Sequence, residues 1–535
     1  MKVIADKIPY AETRFFSNLV LDYLKQKEEL LPFIQAFPSL DSLKHQILLK
    51  EKENTDRAVL VEVLNEQYQS ISNKALVSEQ IATLNDTNTM AIVTAHQPLI
   101  FTGHLYFIYK IVHAIVLSRF CKKYFPNYHF VPIFFIGSED DDIEEIGTLD
   151  LGTRSFKWQA TQKGPCGSMT LESLQPILKE VLSYFNTNDD EIKKMHDLIQ
   201  RAYQANHTLS EATRLVLHEL FGQEGLVVLD ANHIKLKKSF SHVIKNELLH
   251  FESHKIVSHT ISQMPSNYSI QAHSREINFF YMKDGLRERI VFEESVWKVL
   301  NTTIVFTKEA LLQEISESPN HFSPNVILRP LYQETILPSI AFVGGGAEVA
   351  YWMLLKNVFE YYQVQFPILF LRNSVAVSLP QSSKRVDKYQ FTLQDIFTPI
   401  EQLKSAWSQE QEEYKTLEKS LKAIQVEYQK IISEAGLVNK NLRESTLAQV
   451  KKIEKLHARI LEKNRFHIKQ KNQTRFEQIE KIQREFFPNR KLQERDRNFI
   501  ELFLELKTNF IKACFEHQQA MNTNFLVLSF FTEEK

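Results

Sequence analysis

Glycine is scarce in this 535-residue chain: thirteen residues, about 2.4%, against roughly 7% in average proteins. All thirteen lie between Gly103 and Gly436, so the flanking segments contain none. Few turns there can need a left-handed backbone, which favours long helices. The three cysteines, Cys121, Cys166 and Cys514, are too few and too scattered for a disulfide framework or a four-cysteine zinc site. Buried thiols in a reducing, cytoplasmic setting are the expectation. No apolar run approaches the 18 residues of a membrane span. The opening MKVIADKIPYAETRFF meets an acid at Asp6 and has no signal-peptide core. An excess of either charge is missing too. Sixty-four basic and 65 acidic residues leave a net charge of −1, which argues against nucleic acid as the main partner.

Several short apolar runs stand out instead. AIVTA (91–95), VPIFFIG (131–137), LVVL (226–229) and ILFL (368–371) are continuous rather than alternating. That pattern suits strands buried on both faces of a parallel sheet. HLYFIYKIVHAIVLSRF follows the first run with helical spacing, giving the strand–helix–strand signature of an α/β fold. The segments between strands are too long for ordinary loops. Insertions are expected at about 147–225 and 250–325, the first opening as a β-ribbon, the second holding a hairpin with Asp284–Gly285 at its turn. Residues 1–90 read as a helical segment packed on a 91–399 core.

Residues 400–487 contain no proline, and Gly436 is their single glycine. Tyr414, Leu417, Leu421, Ile424, Tyr428 and Ile431 alternate steps of three and four. Val450, Ile453, His457 and Ile460, then Phe476, Ile479 and Phe486, continue the seam on a return leg. This predicts an antiparallel coiled coil folded about Gly436. Residues 401–435 carry five basic and seven acidic side chains; 440–484 carry thirteen and five, a bias that favours pairing. With Trp407 and Leu437 left for outer faces, the hairpin is expected to join a homodimer. Residues 488–535 are expected to return to the core as a helix and tail.

Three stretches could carry chemistry, each where a strand gives way to a loop. In TAHQPLIFTGHLYFIYK, Gly103 precedes a helix whose free N–H groups suit an anion. Thr102, His104 and Lys110 would add donors to a nucleotide's phosphates, and His96 is a candidate catalytic group. The stretch is similar to the His-x-Gly-His loop of class I synthetase-like folds, with Phe101 in place of the first histidine. Gly103→Val is expected to abolish ligand binding with little change in thermal unfolding. In GSEDDDIEE, six of the seven residues from Glu139 to Glu145 are acidic. A charge run is ordinarily a solvated loop. Its place at a strand end makes Glu139, Asp140 and Asp142 candidates for orienting an amine or sharing a Mg²⁺ ion, with Glu144 and Glu145 read as solvated. In LRPLYQETILPSIAFVGGGAEVAYW, glycines let a ligand approach the backbone. Arg329 suits a carboxylate, and Gln333, Glu334, Gly344, Gly345, Glu348 and Tyr351 surround the turn. Neither a dinucleotide fingerprint nor a Walker A loop is present. Lys384 and Arg385, in QSSKRVDKY, are a weaker phosphate-contacting candidate.

Together with PNRKLQER (488–495), these stretches resemble, in order, the bacillithiol-biosynthesis cysteine-adding enzyme family. The family pattern places a glutamine pair where this chain has His96–Gln97, and a histidine where it has Asp141. The resemblance implies a Rossmann-like core and a dimerising coiled coil. It implies a ligase that joins the cysteine carboxyl to the amine of glucosaminyl malate, with Gln97 among the substrate-binding residues. ATP or ADP, and Mg²⁺, are admitted as cofactors; no resident metal is expected. The reading from another class is a coiled-coil scaffold or nucleic-acid-associated protein, which the basic second leg favours.

Overall fold

The computed structural model describes residues 1–152, 154–185, 188–283 and 285–532. The chain divides into two compact units. The first holds Met1, Val3–Val377 and Lys491–Leu528; the second holds Lys2, Ser378–Arg490 and the residues from Ser529 on.

The first unit is built on a five-stranded parallel sheet. Its strands are β1 (Thr89–His96), β2 (His129–Ile136), β3 (Val227–Asp230), β4 (Ser339–Gly344) and β5 (Ile368–Leu371), in the spatial order β5-β4-β1-β2-β3. The four apolar runs became β1, β2, β3 and β5. Helices α1 (Leu40–Lys50) and α2 (Leu105–Tyr124) cover one face, where Leu43, Ile47, Ala114, Leu117 and Cys121 pack on Met90, Ile92, Val343 and Phe370. On β4, Phe342 stacks against Trp352 at 4.2 Å between ring centroids. Burial on both faces explains why these strands do not alternate. Because β4 lies on the opposite side of β1 from β2, the strand order reverses between β1 and β4. A crevice is expected at the carboxyl ends there.

Thr148–Leu151 pairs antiparallel with Arg154–Lys157. Phe279–Lys283 and Leu286–Glu293 form the hairpin within a five-stranded antiparallel sheet; Asp284 of its turn lies outside the described residues. The N-terminal reading needs correction. Before its helices the chain forms a strand, Lys2–Pro9, in a three-stranded sheet with Asn524–Phe531 and Val375–Ser378. Ile8 is its one buried residue, and Ile4 is exposed along with Lys2, Asp6 and Lys7, so no clean alternation marks it as a strand in the sequence. The C-terminal segment likewise ends in a strand after its helices.

The second unit begins 22 residues earlier than position 400, at Ser378. Helices Pro380–Tyr389 and Leu393–Phe397 belong to it because the Gln483 amide donates to the carbonyls of Asp395, Ile396 and Thr398. Glu485 also accepts from the Leu379 N–H. Its hairpin is Glu412–Val438 against Lys440–Lys471. The turn falls at Asn439, not Gly436, which lies inside the first helix with the Arg443 side chain over it. Trp407 is not on an outer face but meets Phe476 edge-on at 5.5 Å. Along the first leg, Tyr414, Leu421 and Ile432 are buried while Ile424 and Ile431 are exposed. The apolar pattern of the sequence is therefore wider than the seam the hairpin closes by itself.

Candidate active site

At the carboxyl ends of β1–β4 lies a cavity of about 650 Å³, within the range for small-molecule sites. It draws walls from all three sequence stretches: His96, Gln97 and His104; Glu139, Asp140 and Glu145; Arg329, Gly345, Glu348 and Tyr351. Helices α3 (Arg329–Ile336) and α4 (Gly346–Trp352) flank β4 and supply the third group.

The acidic run does not converge on one point. Glu139 is paired with buried Lys237 at 2.6 Å, and Asp141 with Arg287 at 2.7 Å. Asp142 is not a cavity residue. It caps the short helix Ile143–Ile146, accepting from the Glu145 N–H at 3.1 Å. Asp140 and Glu145 are bridged by one amide: Gln97 Nε2 donates to Asp140 Oδ2 at 3.0 Å and to Glu145 Oε2 at 3.4 Å. Glu145, read as solvated, thus faces the cavity. Among the described residues no three His, Cys, Asp or Glu side chains gather as a metal site.

His96 lines the cavity as a fixed neutral group. Burial, then the charge of Lys110, push its pKa down to about 3. Its Nδ1 faces the Gln97 carbonyl at 3.2 Å, so Nδ1 must carry the proton. Nε2 then accepts from the Tyr106 hydroxyl at 3.2 Å. Both nitrogens are thus engaged by protein groups in this arrangement.

The phosphate cradle expected around Gly103 is filled by protein. Thr102 and Lys110 are buried outside the cavity lining. Lys110 donates to the Ala95 carbonyl at 2.7 Å and pairs with Glu348 at 2.7 Å. Burial would raise the Glu348 carboxyl, but the Lys110 ammonium and the Gly345 N–H hold it below its usual value. The first N–H of α2, at Leu105, is taken by the Arg497 carbonyl at 3.0 Å. Gly103 has φ +61°, and a Cβ there would lie 2.2 Å from Leu99 Cδ1. Packing, not ligand approach, requires this glycine.

Gln333 and Glu334 are fully buried behind Arg329 and do not line the cavity. Gly344 ends β4, where an added Cβ would meet Phe342 Cε1 at 2.8 Å, again outside the lining. Lys384 belongs to the second unit, on helix Pro380–Tyr389. Residues not singled out from sequence complete the walls: Tyr106, Arg287, Arg372, Lys491 and Arg495. Arg372 directly follows β5, so the strand-end rule could have found it; it forks onto Glu494 at 2.8 and 2.6 Å. Arg287 comes from the antiparallel insertion and no local pattern marks it. Among the described residues, Arg329, Lys491 and Arg495 have no carboxylate partner, although all three line the cavity. Arg329 instead donates to Gln333 Oε1 at 2.9 Å and sits over the Phe135 ring.

Two family models cover nearly the whole chain. The N-terminal Rossmann-like domain of Bacillithiol biosynthesis BshC matches residues 3–373, and the C-terminal coiled-coil domain matches residues 376–530. The chain belongs to the BshC family. Relatives include the “Putative cysteine ligase BshC” of Flavobacterium psychrophilum, 37% identical over 534 residues, covering 98% of this chain and 99% of the relative. Proteins of the same name from Flavobacterium johnsoniae and Christiangramia forsetii are each 35% identical, with the same coverage. The boundary between the two BshC models, at 373–376, falls where the first unit gives way to the second, at Val377. Among the described residues no helix is long and apolar enough to cross a membrane.

Proposed function

We propose that this protein is a ligase that joins the carboxyl of cysteine to the amine of glucosaminyl malate, the last step of bacillithiol assembly. The observation that carries this reading is the charge pattern of one cavity. Among the described residues it holds three cations without carboxylate partners and two carboxylates bridged through the Gln97 amide. Glucosaminyl malate bears two carboxylates and an amine, so its charges complement those walls. Arg329 would receive a malyl carboxylate, while Asp140 would orient the amine and take its proton.

Amide formation from a free acid is uphill in water, so the cysteine carboxyl must arrive activated. An acyl phosphate or adenylate from ATP is the natural donor. The family membership and the names of the relatives support the ligase class; the activation route is our inference. A nucleotide's phosphates would meet Lys491 and Arg495, with any Mg²⁺ carried by the nucleotide.

The test is thiol formation by purified protein given cysteine, glucosaminyl malate and ATP, read by mass spectrometry. Asp140→Asn keeps the shape and should lower turnover on the order of 10²-fold if Asp140 is the general base. Arg329→Lys loses the planar fork and should chiefly raise KM for glucosaminyl malate. Wild-type kinetics in both variants would remove these residues from the site. No amide product under any activation would remove the reaction itself.

A further inference from the structure

Behind Arg329 a line of side chains runs into the core. Arg329 Nη1 donates to Gln333 Oε1 at 2.9 Å, and Gln333 Nε2 donates to Glu334 Oε1 at 2.7 Å. Gln333 and Glu334 are fully buried, so neither can touch a ligand in the cavity. An amide placed between a guanidinium and a carboxylate has one satisfactory orientation, oxygen toward the cation and nitrogen toward the anion. A protonated Glu334 removes that constraint. Its carboxyl is then both donor and acceptor, so the amide is no longer locked; turned the other way it would present its NH₂ group to Arg329 and lose that bond.

We propose that Glu334 is a positioning residue, whose ionised carboxylate acts through Gln333 to hold Arg329 in the orientation that receives a substrate carboxylate. This rests on the reading of Arg329 given above. The nearby cation is already engaged. The Lys50 ammonium, from the end of α1, is held by Glu53 at 2.7 Å and by the main-chain carbonyl of Glu334 at 3.1 Å. The Ser339 hydroxyl at the start of β4 donates to the Ala341 carbonyl at 3.4 Å and lies close enough to Glu334 to favour its charge. Among the described residues, Glu334 Oε2 is left without a hydrogen-bond partner. Burial raises this carboxyl to about 7, with Lys50, Gln333 and Ser339 opposing and Glu53 adding to the rise. The relay is therefore set above that pH and released below it.

The experiment measures KM and kcat for glucosaminyl malate between pH 6 and 8.5 in the full chain and four variants: Glu334→Gln, Gln333→Leu, the double variant and Arg329→Lys. In the wild type, KM should rise on the order of tenfold toward pH 6, the size of one charge-assisted hydrogen bond, with kcat moving less. Glu334→Gln, which keeps the side chain's shape, should flatten that slope. In the Gln333→Leu background Glu334→Gln should add nothing, since residues on one path are not additive. A wild-type pH slope in Glu334→Gln, or additive effects in the double variant, would overturn the relay. If Arg329→Lys leaves KM unchanged, the assignment of Arg329 itself falls. If Arg329→Lys raises KM while Glu334→Gln keeps the slope, the relay alone falls.

Discussion

Gly103 stands at φ +61° and ψ −149°, close to a region that only glycine occupies without strain. A Cβ there would also meet Leu99 Cδ1 at 2.2 Å and Leu99 Cβ at 2.7 Å. Gly103→Ala should therefore destabilise the fold by about 1–3 kcal/mol or more, measured by denaturant unfolding. Unchanged stability would return the glycine to a ligand-approach role. Glu334 makes the complementary case. Its folded pKa, about 7, lies above its ordinary 4.5 because burial penalises the charge. For an acid raised in the folded state, the penalty is absent below the unfolded value. It grows as pH rises from about 4.5 to 7, then stays constant. Glu334→Gln should raise Tm over wild type at pH 8 and much less at pH 4. An equal gain at both pH values would show that the carboxylate is not strained by burial. At this scale the sequence was legible only in part. Charge after a strand marked Asp140, and a guanidinium in the stretch around the glycine turn marked Arg329; both line the cavity, but nothing local distinguished them from Lys110 or Glu334, which face inward. That distinction depends on partners such as Glu348 and Gln333 meeting in space.

The central strands were readable because burial on both faces leaves unbroken apolar runs. β4 was harder to isolate, since SIAFVG merges into the glycines that follow it. The antiparallel strand Leu286–Glu293, by contrast, runs three charged residues into three apolar ones with no alternation to mark a face, and its Arg287 reaches the site from a distant part of the chain. The hairpin of the second unit shows why a glycine is a poor guide to a turn. Gly436 continues the helix, and the chain reverses at Asn439, whose extended backbone and side chain start the next one. Its Oδ1 accepts from the Leu442 N–H at 2.8 Å. Asn439→Ala should cost about 1 kcal/mol. The loss should be local, so hydrogen exchange should quicken near residues 436–445 while the core strands keep their protection. Uniform loss of protection would mean that the tip and the core unfold together.

The composition as a whole foretold two kinds of architecture. Scattered glycines with short apolar runs pointed to the sheet, and a long stretch without proline to the helices. The number of copies in the working assembly is a separate matter, and the second unit bears on it. A two-helix hairpin needs one apolar stripe per leg, and Tyr414, Leu421 and Ile432 with Val450 and Ile468 fill that need. Ile424 and Ile431 on one leg, with Leu456 and Ile460 on the other, remain 41–52% exposed. Apolar residues repeated at helical spacing outside the seam are costly in a lone molecule, and a second copy using the same stripe would cover them. We expect a homodimer through this unit. The full chain should scatter light as a dimer, and replacing 402–485 by a short linker should leave a monomer. Because a deletion can fail for other reasons, Ile424→Lys with Ile431→Lys offers a gentler version. Both positions are exposed, so the fold should survive, measured by circular dichroism, while the dimer weakens. A deletion variant that stays dimeric would locate the interface in the first unit. A double variant that keeps wild-type dimer affinity would show that this stripe faces solvent in the assembled protein.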